Sequence, residues 1–457
     1  MPAEPDRPRW LRRLFAVERD ELPAVLWGAA TSLVILCSFY MLRPVRDEMG
    51  IEGGVDQLKW LFGVTFTVNL ALVPLYSALV ARLPRRRFVA LVYHGFALAF
   101  AGFAALFATV DGAALPWLAR VFFVWVSVMP TFVTSVFWEL AADIFRREQG
   151  ERLFGMIMIG GSVGAVLGPL LTASLAAVIG PAGLCVLSAL LLELAILGIL
   201  GLLSAARRAS DRETRPSATT SSPTSSTTSS ESPSTTSADE TGVIGGSPFA
   251  GFTLVIRDRR LLGIAGYMAL MALTGTFLYF EQAAIVKASL PDRAARTELF
   301  AYVDLTYNAL ALLAQLLVFR RVVTRLGLGI GLAVLPLLCA LGFMTLGAAP
   351  ILLTVVVFHV LQRATRFAMS KPAREVLFTT VSREAKYKAK SFIDTVVYRG
   401  SDFLSGLAFD GLKLLGLGLS GLALVMVPAS LVWAALALRL GRATPPGAAT
   451  PARGDSP

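Results

Sequence analysis

Apolar positions in this chain gather into runs of about twenty residues, ended by charges, glycine or proline. A run of that length crosses a hydrocarbon core of ~30 Å as an α-helix. Such runs fall near 22–42, 58–80, 88–109, 115–140, 153–178 and 183–205, then near 261–286, 299–320, 328–346, 350–371, 391–413 and 418–439. The pattern predicts an all-α polytopic membrane protein with twelve transmembrane helices. Between the sixth and seventh runs, 20 of the 33 residues in 209–241 are Ser or Thr, so no packed core can form there. That stretch separates two halves of six spans each, the signature of an internal repeat folded as two six-helix bundles. The predicted organisation is a tail at 1–21, a bundle at 22–205, a disordered linker at 206–247, a second bundle at 248–440 and a disordered tail at 441–457.

Composition strengthens the membrane assignment and narrows the function. Of 457 residues 55% are hydrophobic and 16% charged, against about 25% charged in soluble domains. The net charge of +11 is spread over every second loop rather than gathered in one patch. Arg7, Arg9, Arg12 and Arg13 precede span one, Arg82 and Arg85 to Arg87 follow span two, and Arg146, Arg147 and Arg152 follow span four. Arg207, Arg208, Arg257, Arg259 and Arg260 flank the linker. Arg320, Arg321 and Arg325 follow span eight, and Lys386, Lys388 and Lys390 follow span ten. This alternation predicts cytoplasmic termini and a multi-pass protein of the inner (plasma) membrane, and it gives nucleic acid no binding surface. The first span, too long for a signal-peptide core and lacking a small-residue cleavage site, is expected to remain.

Candidate chemistry is sparse. Cys37, Cys185 and Cys339 each lie inside an apolar run, and His94 and His359 have no metal-ligand spacing, so neither disulfides, a metal nor a cofactor is expected. No nucleophile and base lie together near a membrane face, which argues against an enzyme. The partners expected are the bilayer and a small solute, with the chain acting as a monomer.

Charges inside the apolar runs are the informative residues, because a charge at mid-bilayer costs at least ~2.5 kcal/mol and is placed against a cavity or a partner. In span ten, His359, Gln362, Arg363 and Arg366 stand at i, i+3, i+4 and i+7 on one helix face. They bind solute, or they form a structural ion-pair network with acids of neighbouring helices. At the end of span one, Arg43 and Asp47 at i, i+4 are placed to pair, leaving Arg46 free for a ligand; snorkelling of both arginines is the alternative. Span four ends with Glu139 and Asp143, which bind a proton or latch onto a basic loop, the latch being favoured. Tyr279 and Glu281 in span seven with Asp304, Asn308 and Gln315 in span eight form a candidate outer gate. In span eleven, Asp394 is a further candidate for coupling, and Arg399 and Asp402 at i, i+3 would partly neutralise each other. Glu193 stands alone among leucines. Gly160, Gly161, Gly164 and Gly168 in span five allow close helix approach.

Six spans plus six, joined by a linker, is the architecture of major facilitators, whose spans one, four, seven and ten line the solute cavity. Their gating loop after span two is altered here, with Ala81 and Pro84 in place of Asp and Gly. Three stretches resemble the ATP/ADP translocase family, a distant relation of facilitators. Leu42-Arg43-Pro44-Val45-Arg46-Asp47 resembles its Leu-Arg-x-x-Lys-Asp, with Arg46 in place of lysine. Phe137-Trp138, then Glu148-Gln149-Gly150-Glu151-Arg152-Leu153-Phe154-Gly155, is similar to its Phe-Trp and Glu-Ala-Lys-Arg-Phe-Tyr-x-x-Phe-Gly, without the Asn-Gln that follows Phe-Trp there. Arg374-Glu375 and Glu384-Ala385-Lys386-Tyr387-Lys388-Ala389-Lys390-Ser391-Phe392-Ile393-Asp394 are similar to its Lys-Glu-x-x-Tyr and Glu-x-Lys-x-Lys-Gly-Lys-Ala-x-x-Asp.

The resemblance implies alternating-access transport of an anionic solute of the nucleotide or phosphorylated class. Arg46, Arg363, Arg366 and Arg399 would hold the anion, Gln362, His359 and Tyr279 would orient it, and Glu139 would belong to the cytoplasmic gate. Arg43, Asp47, Asp143, Glu281, Asp304, Asp394 and Asp402 are left for gating or coupling. A proton-coupled facilitator for another solute and a non-transporting scaffold or sensor stand as alternatives.

Overall fold

In lipid a backbone has no water to bond to, so each apolar run must satisfy its own peptide groups as a helix. The computed structural model describes residues 21–145, 147–213, 250–315, 317, 322, 325–378, 389–390 and 392–442. Among these, eight helices are individually long and apolar enough to cross a membrane. One of them lies in the run Arg147–Glu213, which breaks at Gly180 (φ 62°, ψ −173°) into spans five and six. Only a residue without a Cβ adopts that φ without strain, and Pro181 starts the next helix. Leu58–Arg82, Arg293–Ala314 and the segment Ile393–Leu414 supply spans two, eight and eleven, which brings the count to twelve.

The remaining spans are Leu22–Glu52 (one), Arg85–Thr109 (three), Leu115–Ile144 (four), Arg259–Ser289 (seven), Leu328–Ala348 (nine), Leu352–Leu377 (ten) and Leu419–Arg442 (twelve). A short helix, Ala250–Arg257, precedes span seven. Span six continues as helix to Glu213, so the start of the stretch assigned to the linker is helical; the rest of the expected linker, 214–247, lies outside the described residues, as do 248–249, 1–20 and 443–457. Arg146, Arg320, Arg321 and the motif stretch 379–388 lie outside them too.

Two apolar cores correspond to the two halves. One is built from residues between Ala24 and Leu202, including Phe100, Phe122 and Phe137. The other centres on Tyr267, Phe277, Phe343 and Trp433, and takes in Ile51, Leu58, Leu61 and Phe123 from the first half. Those four residues lie toward the face opposite the termini, called here the distal face; the face carrying Glu21 and Arg442 is the terminal face.

Span five lies against span one with almost no side chain between them. A Cβ on Gly168 would sit 2.6 Å from the Cys37 carbonyl oxygen, and Gly160 and Gly164 meet the backbone of Ala29 and Leu33 in the same way. One turn further on, the Thr172 hydroxyl donates to the Met41 carbonyl at 2.6 Å. This close approach fixes the part of span one that carries Arg43, Arg46 and Asp47.

Candidate functional site

Where the two bundles face each other, a cavity of about 280 Å³ opens between spans one, two, four, seven, ten and eleven. Its wall contains Arg43, Arg46, Tyr279, His359, Gln362, Arg363, Arg366, Arg399 and Asp402, so the structure brings together in one lining all seven residues expected to bind solute. The local reason in span ten is helical spacing. Leu352–Thr365 is regular α-helix and turns His359, Gln362 and Arg363 to one side. The next five residues, Arg366–Ser370, form a π turn before helix resumes at Lys371. Such a turn inserts a residue without ending the helix and is common at functional sites.

The arginines are not equivalent. Arg363 Nη1 lies 3.1 Å from Asp304 of span eight. Arg43 reaches the same carboxylate at 3.7 Å and hydrogen-bonds the Tyr307 hydroxyl. The Tyr307 ring lies 5.4 Å from the Arg43 guanidinium and 5.3 Å from that of Arg363, so one acid and one aromatic face separate two like charges. Arg46 bonds the neighbouring Asp47 at 3.0 and 2.5 Å, and Asp47 also accepts from the Tyr279 hydroxyl at 3.0 Å. Arg366 makes no ion pair among the described residues; it donates to the Tyr398 hydroxyl at 2.5 Å. Arg399 makes no ion pair among the described residues, and Asp402 accepts from the Thr276 hydroxyl at 3.0 Å. Five guanidinium groups thus face three carboxylates.

Three buried polar atoms of lining residues, Thr65 Oγ1, His359 Nδ1 and Gln362 Nε2, have no hydrogen-bond partner among the described residues. Buried donors and acceptors are rarely left so.

Several sequence expectations are corrected. Arg43 and Asp47 do not pair, because Arg43 is drawn across to Asp304 and Tyr307 while Asp47 is taken by Arg46 and Tyr279; Arg46 is therefore bonded rather than free. Arg399 and Asp402 make no direct ion pair among the described residues, but the Arg399 charge does act on the Asp402 carboxylate, as the i, i+3 spacing predicts. Tyr279, Glu281 and Asp304 form no common gate: Asp304 belongs to the central cluster, and Asn308 donates to the Ala165 carbonyl at 3.0 Å. Glu281 is fully buried without a hydrogen bond to either oxygen. Glu139, exposed near the terminal face, accepts from Tyr76 at 2.7 Å and lies outside the cavity wall, as does the nearby Asp143. Asp394 pairs with Arg374 at 3.1 Å, also toward the terminal face. Glu193 is not alone but meets His94 at 2.8 Å.

The distal closure was missed in the sequence. Asp292 caps span eight by accepting from the Ala295 amide at 2.7 Å, which sets Arg293 and Arg296 in the first turn. Cations there oppose the helix dipole, and they meet Glu48 and Glu52 one turn apart at the end of span one. Arg296 lies 3.1 Å from Glu48 and 3.3 Å from Glu52, and Arg293 3.3 Å from Glu48. Around the same face Lys59 pairs with Asp410, and Lys413 with Asp56 at 2.8 Å. These pairs join the first bundle to the second in a collar of four cations and four acids. Its only sequence signal was the i, i+4 acids and i, i+3 arginines at facing helix ends. Tyr307, Tyr398 and Thr276 were also unforeseen.

Two six-helix bundles enclosing a polar cavity at mid-membrane, closed on one face by ion pairs, define a multi-pass membrane transporter. The Major Facilitator Superfamily profile matches residues 28–401. The chain belongs to that superfamily and is a secondary transporter of its type. No curated protein matches it. Among solved structures it is similar to a bacterial homologue of the iron transporter ferroportin in an inward-facing state (13% identity, 93% of this chain and 98% of that chain, TM-score 0.59). It is similar as well to the nucleoside transporter NupG (12%, 93% and 99%, 0.56) and to the POT family transporter PepTSo (12%, 92% and 98%, 0.59). At such identities the likeness establishes the fold.

Proposed function

We propose that this facilitator carries a small anionic, phosphate-bearing solute across the inner membrane by alternating access, its termini in the cytoplasm. The observation that carries the reading is the imbalance in the cavity, where five arginines meet three acids and Arg366 and Arg399, without a direct ion pair among the described residues, share the single nearby carboxylate of Asp402. A cation held in the membrane without a counter-ion is costly, and a solute anion supplies one. Arg366 and Arg399 hold the anion, Arg46 closes on it from the first bundle, and His359, Gln362 and Tyr279 direct hydrogen bonds to it. Arg363, Arg43, Asp304 and Asp47 keep the site in register. The three stretches resembling ATP/ADP translocases support a phosphorylated solute, and exchange of one anion for another requires no proton.

The test is counterflow by the purified protein in liposomes, with nucleotides, sugar phosphates, carboxylates and neutral analogues as competitors. Phosphorylated compounds are expected to compete and their dephosphorylated forms not to. Saturable counterflow of a neutral solute, undisturbed by any anion, overturns the reading.

A second reading is proton-coupled transport. Glu281, buried in span seven with no donor or cation bonded to it, favours a carboxyl that carries a proton. Uptake driven by an imposed pH gradient and abolished by Glu281→Gln would select this reading; exchange indifferent to the gradient selects the first.

A further inference from the structure

On the outer surface of the first bundle, away from the cavity, a polar pair faces the lipid. His94 Nδ1 of span three and Glu193 Oε1 of span six are 2.8 Å apart, with side chains 57% and 44% exposed. His94 lies nine residues after Arg85 and fifteen before Thr109; Glu193 lies twelve after Pro181 and fourteen before Arg207. At ~1.5 Å per residue both are at least ~14 Å from their helix ends, deep in a ~30 Å hydrocarbon core. The single bond uses one polar atom of each side chain. His94 Nε2 and Glu193 Oε2 make no hydrogen bond among the described residues, and at that depth no water reaches them. Polar groups inside a membrane face a partner, a cavity or a neighbouring helix, and beyond each other these two side chains meet no further polar partner among the described residues.

The surface around the pair suits another helix. Leu98 of span three and Leu190 of span six are exposed beside it. Gly95 and Gly102, two turns apart on the same face of span three, have no protein atom within 4 Å of where a Cβ would stand. Small residues on an outer face let a second helix backbone come close.

We propose that this surface docks a second copy of the chain about a two-fold axis, His94 Nε2–H of each copy bonding Glu193 Oε2 of the other. The unused atoms are one donor and one acceptor on adjacent helices, which is the condition for a self-complementary interface in which i meets j and j meets i. A partner offering one cation or one acid would leave an atom of the pair unmatched. The dimer replaces the monomer expected from the sequence, and because the interface uses only the first bundle, the second remains free to rock.

The experiment uses the full-length protein in liposomes at low protein-to-lipid ratio. The three native cysteines are buried, so a cysteine introduced at Leu98 reports contact between copies. Copper-catalysed oxidation of Leu98→Cys is expected to give a disulfide-linked dimer, and Leu341→Cys, exposed on span nine at similar depth, is expected to give none. Adding Glu193→Leu is expected to lower the Leu98→Cys cross-linking rate about tenfold. The exchange His94→Glu with Glu193→His is expected to restore it. Solute counterflow is expected to be unchanged in all of these variants. If Glu193→Leu fails to fold, cross-linking on the unchanged pair and single-molecule photobleaching of the parent protein still decide. Single-step bleaching with no Leu98→Cys dimer overturns the proposal, as does cross-linking indifferent to Glu193→Leu.

Discussion

The distal collar and the central cavity are both made of charge, but they differ in balance. In the collar Glu48, Glu52, Asp56 and Asp410 meet Arg293, Arg296, Lys59 and Lys413, four against four, each acid within reach of a cation. In the cavity five arginines meet three aspartates, and two of the arginines make no direct ion pair among the described residues and share Asp402. A balanced set closes on itself and serves as a latch between bundles. An unbalanced set at mid-membrane is incomplete until an anion arrives. The same residue types therefore perform opposite tasks, and the count of partners tells them apart.

The largest effect is expected inside the cavity. Arg366→Gln removes a cation whose partner is only a tyrosine hydroxyl, so the fold is expected to survive while transport fails. Loss of a charge-assisted hydrogen bond of ~1.5–3 kcal/mol raises the apparent KM about tenfold to a hundredfold. Lysine at the same position is expected to rescue in part, since it lacks the bidentate fork. Arg363→Gln is expected to behave differently because it leaves Asp304, which is 1% exposed, with only the longer 3.7 Å contact to Arg43. Thermal unfolding and uptake measured on the same variants give the comparison: Arg363→Gln should be destabilised and recover when Asp304→Asn is added, while Arg366→Gln should keep the parent Tm. If Arg366→Gln is also destabilised, and rescued by removing an acid, the cavity is balanced after all.

In the collar, where Glu48 and Arg296 are nearly buried, the effect is expected on the balance of conformations and less on transport itself. Breaking a buried pair by removing one partner costs ~3–5 kcal/mol, comparable to the ~5.5 kcal/mol that inverts a two-state equilibrium from 1:99 to 99:1. Glu48→Gln should therefore shift the transporter toward the distally open state without emptying the cavity of its ligand groups. Distances between spin labels on the distal ends of spans two and eleven should lengthen in a larger share of molecules. An unchanged distribution would mean that the apolar contacts of Ile51, Leu58 and Leu61 hold that face shut without the ion pair.

The collar was not legible in the sequence, whereas the span count and the span-ten face were. Apolar runs must become helices in lipid, and one helix carries its periodicity within a few residues, so His359, Gln362, Arg363 and Arg366 declared their common face locally. Arg296 and Glu48 are 248 positions apart, each at a helix end, where a charge reads as a loop residue. Local spacing also misled at Arg43 and Asp47. They do share a face at i, i+4, but Tyr279, Tyr307 and Asp304 from the other bundle offered partners that no spacing within span one could announce. Glu193 failed for the same reason, its partner His94 lying on another helix.

The smallest effect is expected at the collar's rim, between Lys413 and Asp56. Both side chains are more than half exposed, and exposed pairs contribute about 0–1 kcal/mol. The hydrogen bond from Lys413, with its charge, holds the Asp56 carboxyl below its ordinary value. A carboxyl depressed on folding adds stability above its unfolded value of ~3.9, and that stability fades as pH falls through the folded value. Across pH 5.5 to 8 the pair is therefore constant, and Lys413→Ala should leave both Tm and the distal distance distribution unchanged within error over that range. Whatever small difference the pair makes between parent and variant should vanish below about pH 4, because the parent alone has the pair to lose there. A Lys413→Ala variant that opened the distal face at neutral pH would place the latch at its exposed rim rather than at buried Glu48 and Arg296, and the contrast between a sealed collar and an unfilled cavity would have to be redrawn around solvent-exposed charge.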